Sequence, residues 1–381
     1  MSRRICVVIT ARPSYARVQT ALEAIEAHPE LELQLVAAAT LLLERFGKAV
    51  NVIEADGFTV SRRVHSILEG GNLITAAKST GLGLIELATV FEDLKPSAVV
   101  TIADRFETLA TAVAASYMNL PLVHIQGGEV SGNIDNKVRN AITQFADLHL
   151  VANEAAARRV QAMGEAPEAI HVTGCPSIDL AARLQQAFHP PLDVFDRYKG
   201  VGPCFPLERG QYFVVMQHPV TSEADQALAQ IQATLEAVAE LNYPTLWFWP
   251  NVDAGSDATS HGIRAFRERF DPANIHFFKN LPPDDFLRLV MDAAAIVGNS
   301  SVGIRECAFL GVPAINVGQR QRGRDRGANV IDVPHHPEAI RAAMDRALHA
   351  PRPPRDLIYG DGRAGERIAQ RLAQCSLSFV K

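Results

Sequence analysis

The sequence predicts an α/β protein of two open, parallel-sheet domains facing each other across a cleft. Three observations carry this. Short apolar runs rich in β-branched residues alternate with longer amphipathic ones, as strands buried on both faces alternate with helices. The alternation breaks once, over residues 189–211, where four prolines and three glycines interrupt any period, and then restarts. The length, 381 residues, suits two domains of ordinary size.

The elements follow in order. Arg4–Thr10 reads as a strand, Tyr15–Ala27 as a helix and Leu33–Ala39 as a strand. Ala98–Ile102, introduced by Pro96, is a cleaner strand. Thr108–Met118 then reads as a helix, Leu122–Ile125 as a strand and Asn136–Ala146 as a helix. Leu148–Ala152, Glu154–Met163 and Ile170–Thr173 continue as strand, helix, strand. Beyond the break, Tyr212–Met216, Thr245–Trp249, Ile275–Phe278, Ala294–Val297, Ala314–Val317 and Val330–Val333 read as strands. Ala224–Leu241, Asp284–Met291, Val302–Leu310 and Pro337–His349 read as the helices among them. The expected domains are 1–188 and 212–362, with 189–211 crossing between them. The last helix, about Gly365–Gln374 within 363–381, is expected to pack back on the first domain. No solenoid repeat or low-complexity tract interrupts the pattern.

Composition narrows the function. The chain is 48% hydrophobic and 21% charged, with a formal net charge of −5. That excludes a basic domain built for nucleic-acid backbone and a disordered acidic chain. Cys6, Cys175, Cys204, Cys307 and Cys375 are odd in number, scattered and without a C-x-x-C pair. They read as reduced thiols of a cytoplasmic protein rather than a disulfide framework or zinc site. Ile5–Ile9 is too short for a signal sequence, and no apolar run reaches the roughly 18–20 residues of a membrane span. No nucleic-acid or membrane partner is expected.

In open α/β sheets ligands bind beyond the carboxyl ends of the strands, so strand exits hold the candidates. The first exit carries Arg12 at a helix start and lacks G-x-G-x-x-G, which argues against a dinucleotide cofactor. A cation beside a helix dipole suits a phosphate; a surface arginine ahead of Pro13 is the plainer alternative. Asp104-Arg105-Phe106-Glu107 places three charges at a buried strand end, costly unless paired or functional. Asp104 reads equally as a helix cap or an acid–base group. The exit after Leu122–Ile125 combines Gln126, paired glycines, Glu129 and Asp135, with Arg139 one helical turn beyond. A loop with a helical ion pair would explain part of this; the density of carboxylates favours a site.

In the second half, His218 and Asn251 stand at strand exits. Gly298-Asn299-Ser300-Ser301 leads from a strand into a predicted helix, where free N–H groups and two hydroxyls suit a diphosphate. Glu306, one turn along, could accept two ribose hydroxyls. Gly318–Arg326, with Arg320, is a basic loop that is either solvated or an anion-binding lid. Together these suit a sugar nucleotide, with nucleotide on the second domain and sugar chemistry on the first.

These stretches resemble the hydrolysing UDP-N-acetylglucosamine 2-epimerases, especially the epimerase half of the animal bifunctional epimerase/N-acetylmannosamine kinase. The shared motifs are Asp104-Arg105-Phe106, Gly127-Gly128-Glu129-Val130-Ser131-Gly132, Ile134-Asp135, and Gly174-Cys175-Pro176-Ser177. Gln217-His218-Pro219-Val220-Thr221, Pro250–Ser256, Gly298-Asn299-Ser300-Ser301, Arg305-Glu306, Arg320-Gln321 and Tyr359-Gly360-Asp361-Gly362 complete the series, in order along nearly the whole chain. The resemblance implies a glycosyltransferase-B fold of two Rossmann-like domains, usually in dimers or tetramers. It implies cleavage of UDP-N-acetylglucosamine to UDP and N-acetylmannosamine through a 2-acetamidoglucal, without redox cofactor or metal. By the same resemblance Asp104 and Asp135 match catalytic carboxylates. His218, Ser300, Ser301, Glu306 and Arg320 match UDP-binding positions, Arg12 and Arg105 cleft arginines, and Asn251 a UDP-side contact.

Three positions depart from the family pattern. Gln126 stands where a catalytic glutamate is common, and an amide cannot be a general base. Glu129 or Asp135 then covers that role, or Gln126 only orients water, or the reaction differs. Ser14 replaces a frequent aspartate. The Ala37–Gly47 region lacks the histidines of the animal enzyme. All three lie on the sugar side, while the UDP side is better preserved; the expected substrate is UDP-N-acetylglucosamine or a 2,4-diacetamido-6-deoxy analogue. The alternatives are a non-hydrolysing epimerase, a glycosyltransferase of the same fold, or a binder without turnover.

Overall fold

A computed structural model describes residues 2–44, 47–69, 73–102, 105–131, 134–189, 192–250 and 255–375. The chain divides into two compact units. The first unit comprises Met1–Val130, Ile134–Leu180 and Tyr359–Lys381, and the second Ser131–Asn133 and Ala181–Ile358.

The first unit is built on β1 (Arg3–Ile9), β2 (Leu31–Ala38), β3 (Val60–Val64), β4 (Ala98–Ile102), β5 (Leu122–Ile125), β6 (Leu148–Val151) and β7 (Ile170–Val172). Their spatial order is β3-β2-β1-β4-β5-β6-β7, and every pair is parallel. Because strand side chains alternate in direction, β1 feeds two cores. Ile5, Val7 and Ile9 join Leu35, Val100 and Val123 against the helices Gln19–Ala27 and Ala364–Gln374. Cys6 and Val8 join Val36, Val99 and Leu122 against Leu87, Phe91 and Ile142. Burial on both faces explains why these strands read as unbroken apolar runs.

The C-terminal helix Ala364–Gln374 is anchored by a carboxylate far away in sequence. Asp179 accepts from the backbone N–H groups of Ala364 (2.9 Å) and Gly365 (2.7 Å) and from the Thr20 hydroxyl (2.9 Å). This satisfies two of the helix's open amide donors. Gly365 passes so close to the Thr20 carbonyl that any Cβ would collide with it.

The second unit contains β8 (Phe213–Met216), β9 (Thr245–Phe248), β10 (Ile275–Phe278), β11 (Ala295–Gly298), β12 (Ala314–Val317) and β13 (Val330–Val333). They form a parallel sheet in the order β10-β9-β8-β11-β12-β13, the connectivity repeating that of the first unit. Phe213, Val215, Trp247, Ile275 and Ile315 pack against Ile231, Leu235, Ile340 and Met344 from the helices Ala227–Leu241 and Pro337–His349. Both units thus have the predicted α/β parallel-sheet class.

Several elements escape the sequence pattern. The expected helix Tyr15–Ala27 is two, Arg12–Ala16 and Gln19–Ala27. The helices Val50–Ala55, Leu73–Leu94, Pro176–Gln186 and Ser256–Phe270 and the edge strand β3 were not anticipated. Residues 192–211 are not structureless. They carry the short helix Val194–Tyr198, whose Phe195 contacts the rings of Phe205, His276 and Phe278. Leu73–Leu94 also corrects the reading that no stretch is long and apolar enough to span a membrane. By length and composition this helix is; Lys78 and Glu86 break its apolar run and hide it in the sequence.

Candidate active site

In the first unit the strand exits carry charge. Arg12 is the first residue of the helix Arg12–Ala16, followed by Pro13, whose missing N–H costs nothing there. Its guanidinium is half-buried, has no hydrogen-bond or ion-pair partner among the described residues, and is pushed down to about 10 by burial. An uncompensated cation at a strand exit is a receptor for an anion. The neighbouring exit is tied to the same place: the Leu41 N–H and the Thr40 hydroxyl donate to the Thr10 carbonyl (3.3 and 2.9 Å).

Asp104, the leading catalytic candidate from sequence, lies outside the described residues, as does Asn251. Arg105 is mostly buried and pairs with the buried Glu107 (Nε–Oε2 3.2 Å). The pairing reconciles this charge cluster with its place at the end of β4.

The β5 exit is the most constrained stretch. Gln126 adopts φ +66°, uncommon outside glycine, and is 1% exposed. Its Nε2 donates to Cys175 Sγ (2.8 Å), and its Oε1 accepts from Arg17 (3.4 Å). Gly128 is obligatory: at φ +74° it lies against the helix Glu154–Ala162, and a Cβ would strike the Ala156 carbonyl. Arg159 donates to the Gly128 carbonyl (3.1 Å). Arg139, buried, donates to the Glu129 carbonyl (2.6 Å) and to Asn136 Oδ1 (3.2 Å). Arg139 is therefore a brace that sets the backbone of Glu129. The Glu129 side chain is buried, and the half-buried Asp135 opens the helix Asp135–Phe145. Arg17 and Arg159 were missed from sequence, because only the fold brings them to the β5 exit.

In the second unit the exits are knitted together by one residue, Asn299. Asn299 Oδ1 accepts from the His218 N–H (2.7 Å), and its Nδ2 donates to the His218 carbonyl (2.8 Å). Its own carbonyl accepts from Arg320 (3.2 Å) and Gln321 Nε2 (2.8 Å). Asn299 thus joins the exits of β8, β11 and β12 and sets the positions of His218, Ser300 and Arg320. Gly298, at φ +125°, permits this, since a Cβ would collide with the Met216 carbonyl. Sequence singled out the motif but not this role.

The predicted helix Val302–Leu310 is corrected. Residues 301–305 form a turn of mixed hydrogen bonding, and only Glu306–Leu310 is helical. Arg305 N–H donates to the Ser301 carbonyl and Cys307 N–H to that of Val302 (both 3.0 Å), an irregular spacing, and Gly303 packs closely against Ala314 and Ile296. Glu306 therefore starts the helix rather than sitting a turn into it. It is buried with its Oε2 3.9 Å from Arg305 Nε, and Ser301 Oγ accepts from Arg305 (2.9 Å). Beside the β12 exit lies a cavity of about 560 Å³ lined by Asn316, Gly318, Gln319, Arg322, Arg324 and Arg326. That volume is in the range of small-molecule sites. Arg326 is held by Asp332 (2.6 Å), so the loop is structured rather than merely solvated. Among the described residues no group of three His, Cys, Asp or Glu side chains could hold a metal ion.

Two parallel-sheet units with anion-receptive strand exits define a two-domain α/β enzyme of the glycosyltransferase-B class. The family model described as UDP-N-acetylglucosamine 2-epimerase matches residues 23–373, and the chain belongs to that family of enzymes. It is 33% identical, over 98% of its length and 96% of the relative's, to UDP-N,N'-diacetylbacillosamine 2-epimerase (hydrolyzing) of Legionella pneumophila. It is 29% identical to UDP-N-acetylglucosamine 2-epimerase of Neisseria meningitidis, over 91% of this chain and 88% of that one. Among solved structures it is similar in fold to Methanocaldococcus jannaschii UDP-GlcNAc 2-epimerase in complex with UDP-GlcNAc and UDP. The TM-score is 0.79 at 18% identity, covering 97% of this chain and 99% of that one.

Proposed function

We propose that this chain is a hydrolysing UDP-sugar 2-epimerase, converting a UDP-2-acetamido sugar and water to UDP and the free 2-epimer. The observation that carries the reading is the second unit's exit set: His218 and Arg320 held by Asn299, next to Ser300, with Ser301 and Glu306 beside Arg305. It supplies a cation and dipoles for a departing diphosphate; Arg12 is a separate anion receptor on the first unit. Asn251 is proposed to join that nucleotide set.

The chemistry divides into two steps. A base takes the C2 proton, the C–H electrons form the C1=C2 bond, and the C1–O bond breaks with UDP leaving. A proton then adds to the opposite face of C2, and water supplies hydroxide to C1. Asp104 and Asp135 are proposed for the proton transfers, with Glu129 as the carboxylate in place of the missing glutamate. Gln126 has both ends of its amide engaged and cannot carry a proton, so its role is to hold the loop and orient water. Arg105 is proposed to bind substrate from its Glu107 pair.

For the sugar we propose a 2,4-diacetamido-6-deoxy hexose ahead of N-acetylglucosamine. The Legionella relative is named for such a substrate, and the departures from the family pattern at Gln126 and Ser14 lie on the sugar side. The product would feed a nonulosonic acid or surface polysaccharide in the cytoplasm.

Proton NMR in deuterated water with each UDP-sugar tests this. Free UDP and a 2-epimer carrying deuterium at C2 are expected, with higher kcat/KM for the diacetamido substrate. A UDP-linked epimer would place the enzyme in the non-hydrolysing branch. UDP binding without turnover of either sugar would leave a nucleotide-sugar binder.

A further inference from the structure

The cavity of about 560 Å³ beyond the exits of β12 and β13 lies at one edge of the second unit's sheet. None of His218, Ser300, Ser301, Glu306 and Arg320 lines it, so it is a different place from the nucleotide set. Its walls carry three guanidinium groups, Arg322, Arg324 and Arg326, and one carboxylate, Asp332, in a chain whose formal net charge is −5. That carboxylate is already engaged. Both its oxygens accept from Arg326 Nη1 (2.6 Å each), and Oδ1 also accepts from Asn316 Nδ2 (2.7 Å). Arg326 donates in addition to the Gln321 carbonyl (2.6 Å) and to the Arg324 carbonyl (3.3 Å), which pins the loop around the cavity. Arg324 is 7% exposed. Arg322 is exposed, and its guanidinium has no hydrogen-bond or ion-pair partner among the described residues. At the same wall His335 lies against Gly318, where any Cβ would collide with its Nε2. Neither buried ring nitrogen of His335 has a hydrogen-bond partner among the described residues. Such orphaned polar atoms are rare in folded proteins and are satisfied by a ligand or a water.

We propose that this cavity is a second anion site, outside the nucleotide set, for a phosphomonoester on a hydroxylated ring: a sugar phosphate or a nucleoside monophosphate. The proposal goes beyond the reading of the nucleotide exits and does not rest on it. Charge sets the class. Three guanidinium groups against one carboxylate match a dianion, and a phosphomonoester is close to that charge at neutral pH. The planar fork of arginine pairs two phosphate oxygens at once. Volume sets the size. The cavity is on the scale of small-molecule sites, and a bare phosphate would leave most of it empty. Gln319 can pair ring hydroxyls, and Val333 and Pro334 offer apolar area to the ring itself. The position is also where open parallel sheets bind ligands, beyond the carboxyl ends of the strands.

Calorimetric titration of the full chain, first saturated with UDP, tests the proposal. Glucose 6-phosphate or adenosine 5′-monophosphate should bind once per chain, at least about tenfold more tightly than inorganic phosphate or succinate. The tighter of the two esters identifies the source. Arg322→Ala should weaken that ester by about tenfold and Arg322→Glu by about 100-fold, while UDP affinity changes by less than about twofold. Arg264→Glu, a reversal on the helix Ser256–Phe270 away from the cavity lining, should leave both affinities unchanged. No ester binding to the UDP-saturated chain would overturn the proposal. So would equal affinity for inorganic phosphate or succinate, or a loss in Arg264→Glu as large as in Arg322→Glu. If UDP itself does not bind, the nucleotide reading fails separately, and the same titrations of the Arg322 variants without UDP still decide this site.

Discussion

The strand exits of the two units solve different problems. In the second unit one neutral residue, Asn299, joins three exits, its side chain bonding the His218 main chain and its own carbonyl accepting from the Arg320 and Gln321 side chains, and Gly298 makes room for it. In the first unit the exits hold buried or half-buried ionisable groups: Arg12, without a partner among the described residues, the Arg105–Glu107 pair, and Glu129 on a loop braced by Arg139. A site shaped by backbone is rigid and suits a constant ligand such as a nucleotide. A site shaped by charged side chains is costly to fold and suits proton transfer and diphosphate departure. Substitutions should separate the two.

The largest effect is expected for Asp135→Asn on the first unit. Turnover should fall by about 10³-fold or more, while UDP affinity measured by calorimetry stays within about threefold. Equal losses of both would remove the division between the units. Next is Gly298→Ala. The new methyl meets the Met216 carbonyl in a backbone region that L-residues avoid, at a cost of about 4 kcal/mol. Thermal melts should show the second unit destabilised and UDP binding lost with it.

Asp179→Ala removes the acceptor for two helix N–H groups and a hydroxyl, so about 2–3 kcal/mol of the first unit's stability should go. Hydrogen exchange should locate the loss in the helix Ala364–Gln374 and leave UDP affinity unchanged. Arg12→Met is expected to act with opposite signs: the ligand-free protein melts about 2 °C higher, while UDP binds at least about tenfold more weakly. A variant that lost both would show Arg12 to be structural.

The smallest effect concerns His335, whose ring nitrogens have no hydrogen-bond partner among the described residues. Burial lowers its pKa, opposed by Glu223 and assisted by His336. A histidine lowered in the folded state binds fewer protons than the unfolded chain. The second unit should therefore lose stability as pH falls below about 6.5, and His335→Leu should flatten that part of the profile.

The α/β class, most strands of both sheets and the candidate exits were legible in the sequence, because strands buried on two faces must be continuously apolar and exits must be polar. β4 and β5 read to the residue. Elements with one wet face read poorly: β3 carries Arg62 and Arg63, and Leu73–Leu94 mixes charge into its apolar run. The candidate positions followed from motifs, but their geometry did not. That Gln126 is gripped by Cys175 and Arg17, that Arg139 holds a carbonyl, and that Asn299 rather than a helix N-terminus organises the second unit's exits all depend on contacts between residues distant in sequence. Local pattern determines which segments are buried and which are polar. Only tertiary packing decides which of the polar groups, once out of water, find one another.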